Sequence, residues 1–117
     1  MKDSVLKEKS YKFALRMIKL FQYLCGEKKE FVLSKQVLRS GTSIGANIEE
    51  AYQGESKADF IHKLAIANKE AFETHYWLRL LRDSILLEEK LANSLIADCA
   101  ELEKLLVSSI KTAKIKN

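Results

Sequence analysis

Three kinds of residue in this chain could act on another molecule: paired carboxylates, an acid–imidazole pair, and a row of cations. Asp59-Phe-Ile-His62 sets a carboxylate and an imidazole at the spacing by which helical bundles present metal ligands. A di-metal bundle needs that pair from two helices, plus further inward carboxylates. The chain has it once, with Asp59 placed to act in a helix cap. No metal or other cofactor is expected, and His62 and His75 read as partly exposed helix residues. Glu70 and Glu73 lie within one helical turn, and Glu50 lies on the preceding helix, an arrangement that could do acid–base work. Arg39, Ser43, Asn47 and Glu50 form a polar row on that preceding helix, and Lys69, Glu70 and Glu73 cluster on the next. Helices packed about 8–10 Å apart bring such side chains within reach of one another. The three acids are therefore expected to pair with Arg39, Lys69 or Arg79, inside a subunit or across an interface. No nucleophile–base constellation, phosphate-binding glycine loop or cofactor motif accompanies them, so no enzyme activity is expected.

Lys9, Lys12, Arg16 and Lys19 follow at spacings of three, four and three and share one helix face, with Glu8 the acid nearest in sequence. Such a row could lie along phosphates and give salt-sensitive, non-specific contact with RNA or DNA. It also reads as a solvated face opposite the core, and no base-reading motif accompanies it. The net charge of +4 is concentrated at the start: residues 1–30 hold eight Lys or Arg against four acids. Cys25 and Cys99 fall in apolar stripes without partners at metal spacing, and each is expected to be a free buried thiol.

These side chains must be positioned by helices. With 47% hydrophobic and 31% charged residues, 117 in all, the composition is that of one globular domain spanning 1–117. The absence of proline favours long helices over turns. The first helix is expected from about Ser4 to Cys25, with Leu6, Phe13, Met17, Leu20 and Leu24 as its stripe, widened by Ala14, Ile18, Phe21 and Cys25. Gly26 follows as a natural end residue. The second is expected from an N-cap at Ser34 to about Tyr52, ended by Gly54. It runs unbroken through Gly41-Thr-Ser, because Val37, Gly41, Ile44, Ile48 and Ala51 keep one apolar phase that a loop would reset. Gly41 and Gly45 each cost about 1 kcal/mol against alanine in a helix interior, so they mark close helix packing. The third opens with a cap at Ser56 and ends near Asp83–Leu87, with Phe60, Leu64, Ala67, Ala71, Leu78, Leu81 and Ile85 inward. The fourth runs from about Glu88 to Ala113 on Ala92, Leu95, Cys99, Leu102, Leu106 and Ile110. Short connections make this an all-α, up-down antiparallel four-helix bundle.

The third helix is apolar on more than its core stripe. Ile66, Trp77 and Leu80 form a second flank, with Tyr76 beside Trp77, and Ile61, Ala65 and Phe72 a third. Surplus apolar surface of this kind marks a contact with another copy. No apolar run is long enough to span a membrane and no leader is evident, so a cytoplasmic location is expected, without membrane or small-molecule partners.

The segment Arg39-Ser-Gly-Thr-Ser-Ile-Gly-Ala-Asn-Ile-Glu-Glu-Ala51 resembles the signature of a bacterial four-helix-bundle family, the intervening-sequence proteins. Some of its members are encoded inside insertions in large-subunit ribosomal RNA genes. Glu55-Ser-Lys-Ala-Asp-Phe60, Lys63-Leu-Ala-Ile-Ala67, Lys69-Glu-Ala71, Glu73-Thr74 and Tyr76-Trp-Leu78 carry the second half. Many relatives have proline where Gly45 stands and glycine where Ala51 stands, a departure that leaves the fold expectation intact. The resemblance implies a homopentameric ring of four-helix bundles. It also implies kinship with the accessory variability determinant of diversity-generating retroelements, a basic pentamer that binds a reverse transcriptase and nucleic acid. It brings no catalytic residues.

Overall fold

The computed structural model describes residues 2–116, with side chains from Val5 onward. Four helices make up its frame: α1 (Lys2–Gly26), α2 (Leu33–Ala51), α3 (Lys57–Asp83) and α4 (Glu89–Ile115). They lie side by side in a rod of 50 × 21 × 20 Å. Cross-links between the helices fix their directions. Ser10 lies against Gly45 while Met17 lies against Gly41. Arg39 reaches Glu70 and Glu73, whereas Glu50 meets Lys63. His75 meets Glu103 and Arg82 meets Asn93. In each pair the numbers rise on one helix as they fall on the other, so successive helices are antiparallel. α1 and α3 sit across one diagonal and α2 and α4 across the other, with α1 and α4 the most loosely packed neighbours. This is the expected up-down bundle.

The inward stripes merge into one core. Leu6, Phe13, Met17 and Leu24 of α1 meet Val37, Ile44 and Ile48 of α2, Leu64, Leu78 and Leu81 of α3, and Leu95, Leu102 and Leu106 of α4. Each fully buried Leu, Ile or Phe contributes about 1.5–3 kcal/mol relative to exposure, so this seam dominates the stability of the fold. Ser40 and Thr74 hydroxyls inside it meet at 2.8 Å between α2 and α3. α2 is continuous through Gly41-Thr-Ser. Thr42 and Ser43 donate back to the Leu38 and Arg39 carbonyls at 2.8 and 2.7 Å, which satisfies their hydroxyls without breaking the helix.

The helix ends correct several expectations. Ser34 is not the N-cap of α2; it lies buried inside the first turn and donates to the Glu30 carbonyl at 2.8 Å. The cap is the Glu30 carboxylate, which accepts from the backbone N–H groups of Val32, Leu33 and Ser34 at 3.1, 2.9 and 2.7 Å. Gly26 is the last residue of α1, and the left-handed residue that reverses the chain is Lys29, with φ 55°. Gly54 has no left-handed backbone; it is confined by Asp59 Oδ2, 2.8 Å from where a Cβ would stand. At α3 the Ser56 cap is as expected, its hydroxyl accepting from Asp59 N at 3.1 Å. Ile85 is not a core residue. α3 has ended at Asp83, and Ile85 sits in the turn with φ 64° and its side chain 85% exposed. Leu87 takes the core position instead. Ile18 is likewise exposed and Cys25 only half-buried, because the inward stripe of α1 is narrower than its apolar residues. Cys99 is buried, and both thiols are free.

Candidate functional site

The carboxylates singled out from the sequence are gathered into ion pairs at the α2–α3 seam. Arg39 donates to Glu70 at 3.2 Å and closely to Glu73. The indole N–H of Trp77 donates to the same Glu73 oxygen at 2.9 Å. That bond and the Arg39 guanidinium hold the Glu73 carboxyl below its ordinary range, and the Glu73 bond raises Arg39 in turn. Glu50 pairs at 2.8 Å with Lys63, a residue outside the expected partners, because Lys63 stands opposite it on α3. Lys69 points outward and is exposed. Ser43 and Asn47 bond along their own helix, to the Arg39 and Ser43 carbonyls at 2.7 and 2.9 Å. The polar row therefore ties α2 to α3 at its two ends, through Arg39 and Glu50, and is satisfied locally between them.

A second cluster went unnoticed in the sequence because its members come from two helices. Glu103 accepts from, or pairs with, His75 Nδ1 at 2.9 Å and takes the Cys99 thiol at 3.8 Å. Cys99 also reaches the Ala71 carbonyl at 3.2 Å. The carboxylate stands between thiol and imidazole, the reverse of a nucleophilic triad. Burial and the neighbouring Glu103 charge push the thiol well above its ordinary range, so Cys99 carries no thiolate at neutral pH. A groove of about 520 Å³ between α3 and α4 is lined by Phe72, Val107 and Ile115 together with Lys104 and Lys111. Glu103 lies at its edge, already bonded; Glu50, Glu70 and Glu73 do not line it. Among the described residues no cluster of His, Cys, Asp or Glu is arranged to hold a metal ion. No helix there is long and apolar enough to cross a membrane.

The basic row of α1 faces α4, which the sequence spacing did not reveal. Lys9 pairs with Glu101 at 3.3 Å, and Arg16 pairs with Asp98 at 2.6 Å while donating to Ser94 at 3.2 Å. Acids far along the chain thus occupy half of the row. Lys12 and Lys19 remain exposed.

The apolar surface divides differently from the expectation. Ile66 and Trp77 are half-buried within the subunit, Trp77 packing on the core and edge-on to Tyr76. Tyr76 and Leu80 are exposed and continue a stripe from Phe72 at spacings of four along the outer face of α3. A matching stripe lies on α1, where Tyr11, Leu15 and Ile18 are 65%, 46% and 41% exposed. α1 and α3 are diagonal partners, so the two stripes face solvent on different sides of the rod. At the α1–α2 crossing, Gly41 is pressed on Met17, while Gly45 stands at ordinary contact distance from Ser10. Gly41 therefore serves close approach, whereas a methyl at Gly45 would make only ordinary contacts.

An up-down bundle with structural ion pairs and unpartnered apolar stripes is the class defined by this geometry. The chain belongs to the 23S rRNA-intervening sequence protein family, whose model matches residues 2–108. It is similar to a crystal structure, at 1.70 Å resolution, of a protein of unknown function from the S23 ribosomal protein family of Bacteroides thetaiotaomicron VPI-5482. The two share 56% identity over 95% of this chain and 99% of the other, with a TM-score of 0.94. Among curated proteins none matches the chain.

Proposed function

We propose that the protein is a non-enzymatic, cytoplasmic homo-oligomeric scaffold. Copies join through unlike faces, the α1 stripe of Tyr11, Leu15 and Ile18 against the α3 stripe of Phe72, Tyr76 and Leu80. Two exposed apolar stripes on diagonal helices carry this reading. A monomer rarely leaves such stripes bare, and contact between unlike faces generates a ring when its rotation closes. Five copies is the number that the family resemblance implies. The pairing of Glu50, Glu70 and Glu73 with basic partners supports a structural role for them over acid–base work.

Light scattering tests the reading. A concentration-independent mass of one chain overturns it. Leu15→Asp and Tyr76→Asp should each give monomers, whereas mixing the two variants should restore a dimer. Each variant keeps one intact stripe, and only unlike-face contact complements in this way. A nucleic-acid accessory role has less support, since Lys9 and Arg16 are engaged by Glu101 and Asp98. Lys12 and Lys19, repeated around a ring, would have to supply it.

A further inference from the structure

One end of the rod carries features that neither the core nor the two stripes explain. Antiparallel packing puts the α1–α2 and α3–α4 connections together at that end. Each presents apolar side chains to solvent: Phe31 and Val32 on the first, 52% and 70% exposed, and Ile85 on the second. Ile85 is disfavoured twice. Its φ of 64° places a β-branched side chain in the left-handed region, where glycine is the usual residue. That conformation closes α3, with Ile85 N–H bonded to the Arg82 carbonyl at 3.1 Å and Leu86 N–H to the Leu81 carbonyl at 3.0 Å. A glycine would make both bonds without strain, and the isoleucine side chain buries almost nothing within the chain. A strained and exposed apolar residue is accounted for by a contact outside the chain. The tips are already ordered for it, the first by the three Glu30 bonds and the second by the α3 closure.

Charge indicates what the contact is. Lys28, Lys29 and Lys35 outnumber Glu27 and Glu30 at the first tip, and with the Glu30 carboxylate turned onto the α2 amides the lysines dominate its outer surface. Glu88 and Glu89 against Lys90 make the second tip acidic, with Asp83 and Arg82 paired to each other. We infer that this end docks onto the same end of a second copy about a two-fold axis. Phe31 and Val32 of each copy meet Ile85 of the other, and the lysine tip of each copy faces the Glu88–Glu89 tip of the other. A surface whose halves carry opposite charge suits its own image better than an anionic membrane or a phosphate backbone. The rod is only 21 × 20 Å in section, so one pair of ends buries less than the roughly 1,200 Å² of a stable interface. The contact is weak between single chains and strengthens where several ends share one plane; that strengthening rests on the ring proposed above.

Sedimentation equilibrium over rising concentration tests this. The expected result is the assembled unit and its double and nothing larger, because a two-fold contact closes on itself. Ile85→Gly should leave the unit mass unchanged, raise its melting temperature, and lower the doubling constant about tenfold or more. Since that variant relieves strain, loss of doubling cannot come from misfolding. No doubled species at the highest soluble concentration, or doubling unchanged in Ile85→Gly, overturns the inference. So does binding to phosphatidylserine vesicles that replaces doubling and is lost in the variant. A unit of one chain that still doubles overturns the ring alone.

Discussion

Replacing the two helix glycines by alanine separates close packing from mere tolerance. Any Gly→Ala change in a helix interior gains about 0.8–1 kcal/mol of helix propensity. At Gly45 the added methyl would stand 3.4 Å from Ser10 Oγ and 3.5 Å from the Ser10 carbonyl oxygen. Those are ordinary contacts, so most of the gain should survive, and Gly45→Ala is expected to stabilise by about 0.5–1 kcal/mol. At Gly41 the methyl would stand 2.4 Å from Met17 Cγ and 2.6 Å from its Sδ. Met17 is fully buried, so any movement of its side chain must displace neighbours in the core. Either its side chain leaves its rotamer or α1 and α2 separate, at about 1–3 kcal/mol for overpacking. Set against the propensity gain, Gly41→Ala is expected to destabilise by about 1 kcal/mol. The two variants should then differ by about 1.5–2 kcal/mol in urea denaturation, with the m-value unchanged. Met17→Ala in the Gly41→Ala background should cost less than Met17→Ala alone, since the first change removes the atoms the second strikes. Equal stabilities for Gly41→Ala and Gly45→Ala, or no coupling to Met17, would refute the reasoning.

Four further outcomes follow from other parts of the molecule. Glu30→Ala should cost about 1–2 kcal/mol by freeing three backbone donors at the start of α2, measured by thermal or urea unfolding. Burial pushes the Glu30 carboxyl up, but its backbone bonds outweigh that and hold it below the ordinary 4.5, as the Trp77 and Arg39 bonds do for Glu73. A depressed folded value contributes stability above the unfolded pKa that is lost as pH falls through the folded one. The urea midpoint should therefore hold from neutrality to about pH 5 and decline below about 4.5, with a shallower decline in Glu30→Gln. Half-buried Cys25 should alkylate in the folded protein while buried Cys99 reacts only on unfolding, followed by mass spectrometry; equal rates would contradict the packing around Cys99. Any retention on immobilised RNA or DNA should depend on Lys12 and Lys19 and fall steeply with salt. Retention unaffected by Lys12→Glu with Lys19→Glu would remove α1 as the contact.

Periodicity made the architecture legible. Apolar residues recurring at three and four must face a common core, so the helices, the unbroken passage through Gly41-Thr-Ser and most core residues were readable without coordinates. The Ser56 cap was readable too, because a cap is a local hydrogen bond between residues a few positions apart. Local rules failed where a competing partner lay just outside the window considered. Ser34 lost the cap to the longer Glu30 side chain, and Ile85 kept the helical spacing past the point where the helix had ended. Everything that depends on which helix faces which was decided by the tertiary structure. The row Lys9, Lys12, Arg16 and Lys19 has only Glu8 near it along the sequence, yet Asp98 and Glu101 of α4 lie against it. Glu50 found Lys63, and His75, Cys99 and Glu103 converged, because antiparallel packing sets the register between helices. A side-chain stripe fixes which face of a helix turns inward. It does not fix the neighbour beside that face, since electrostatic pairing acts over a few ångströms of space between residues that the sequence holds dozens of positions apart.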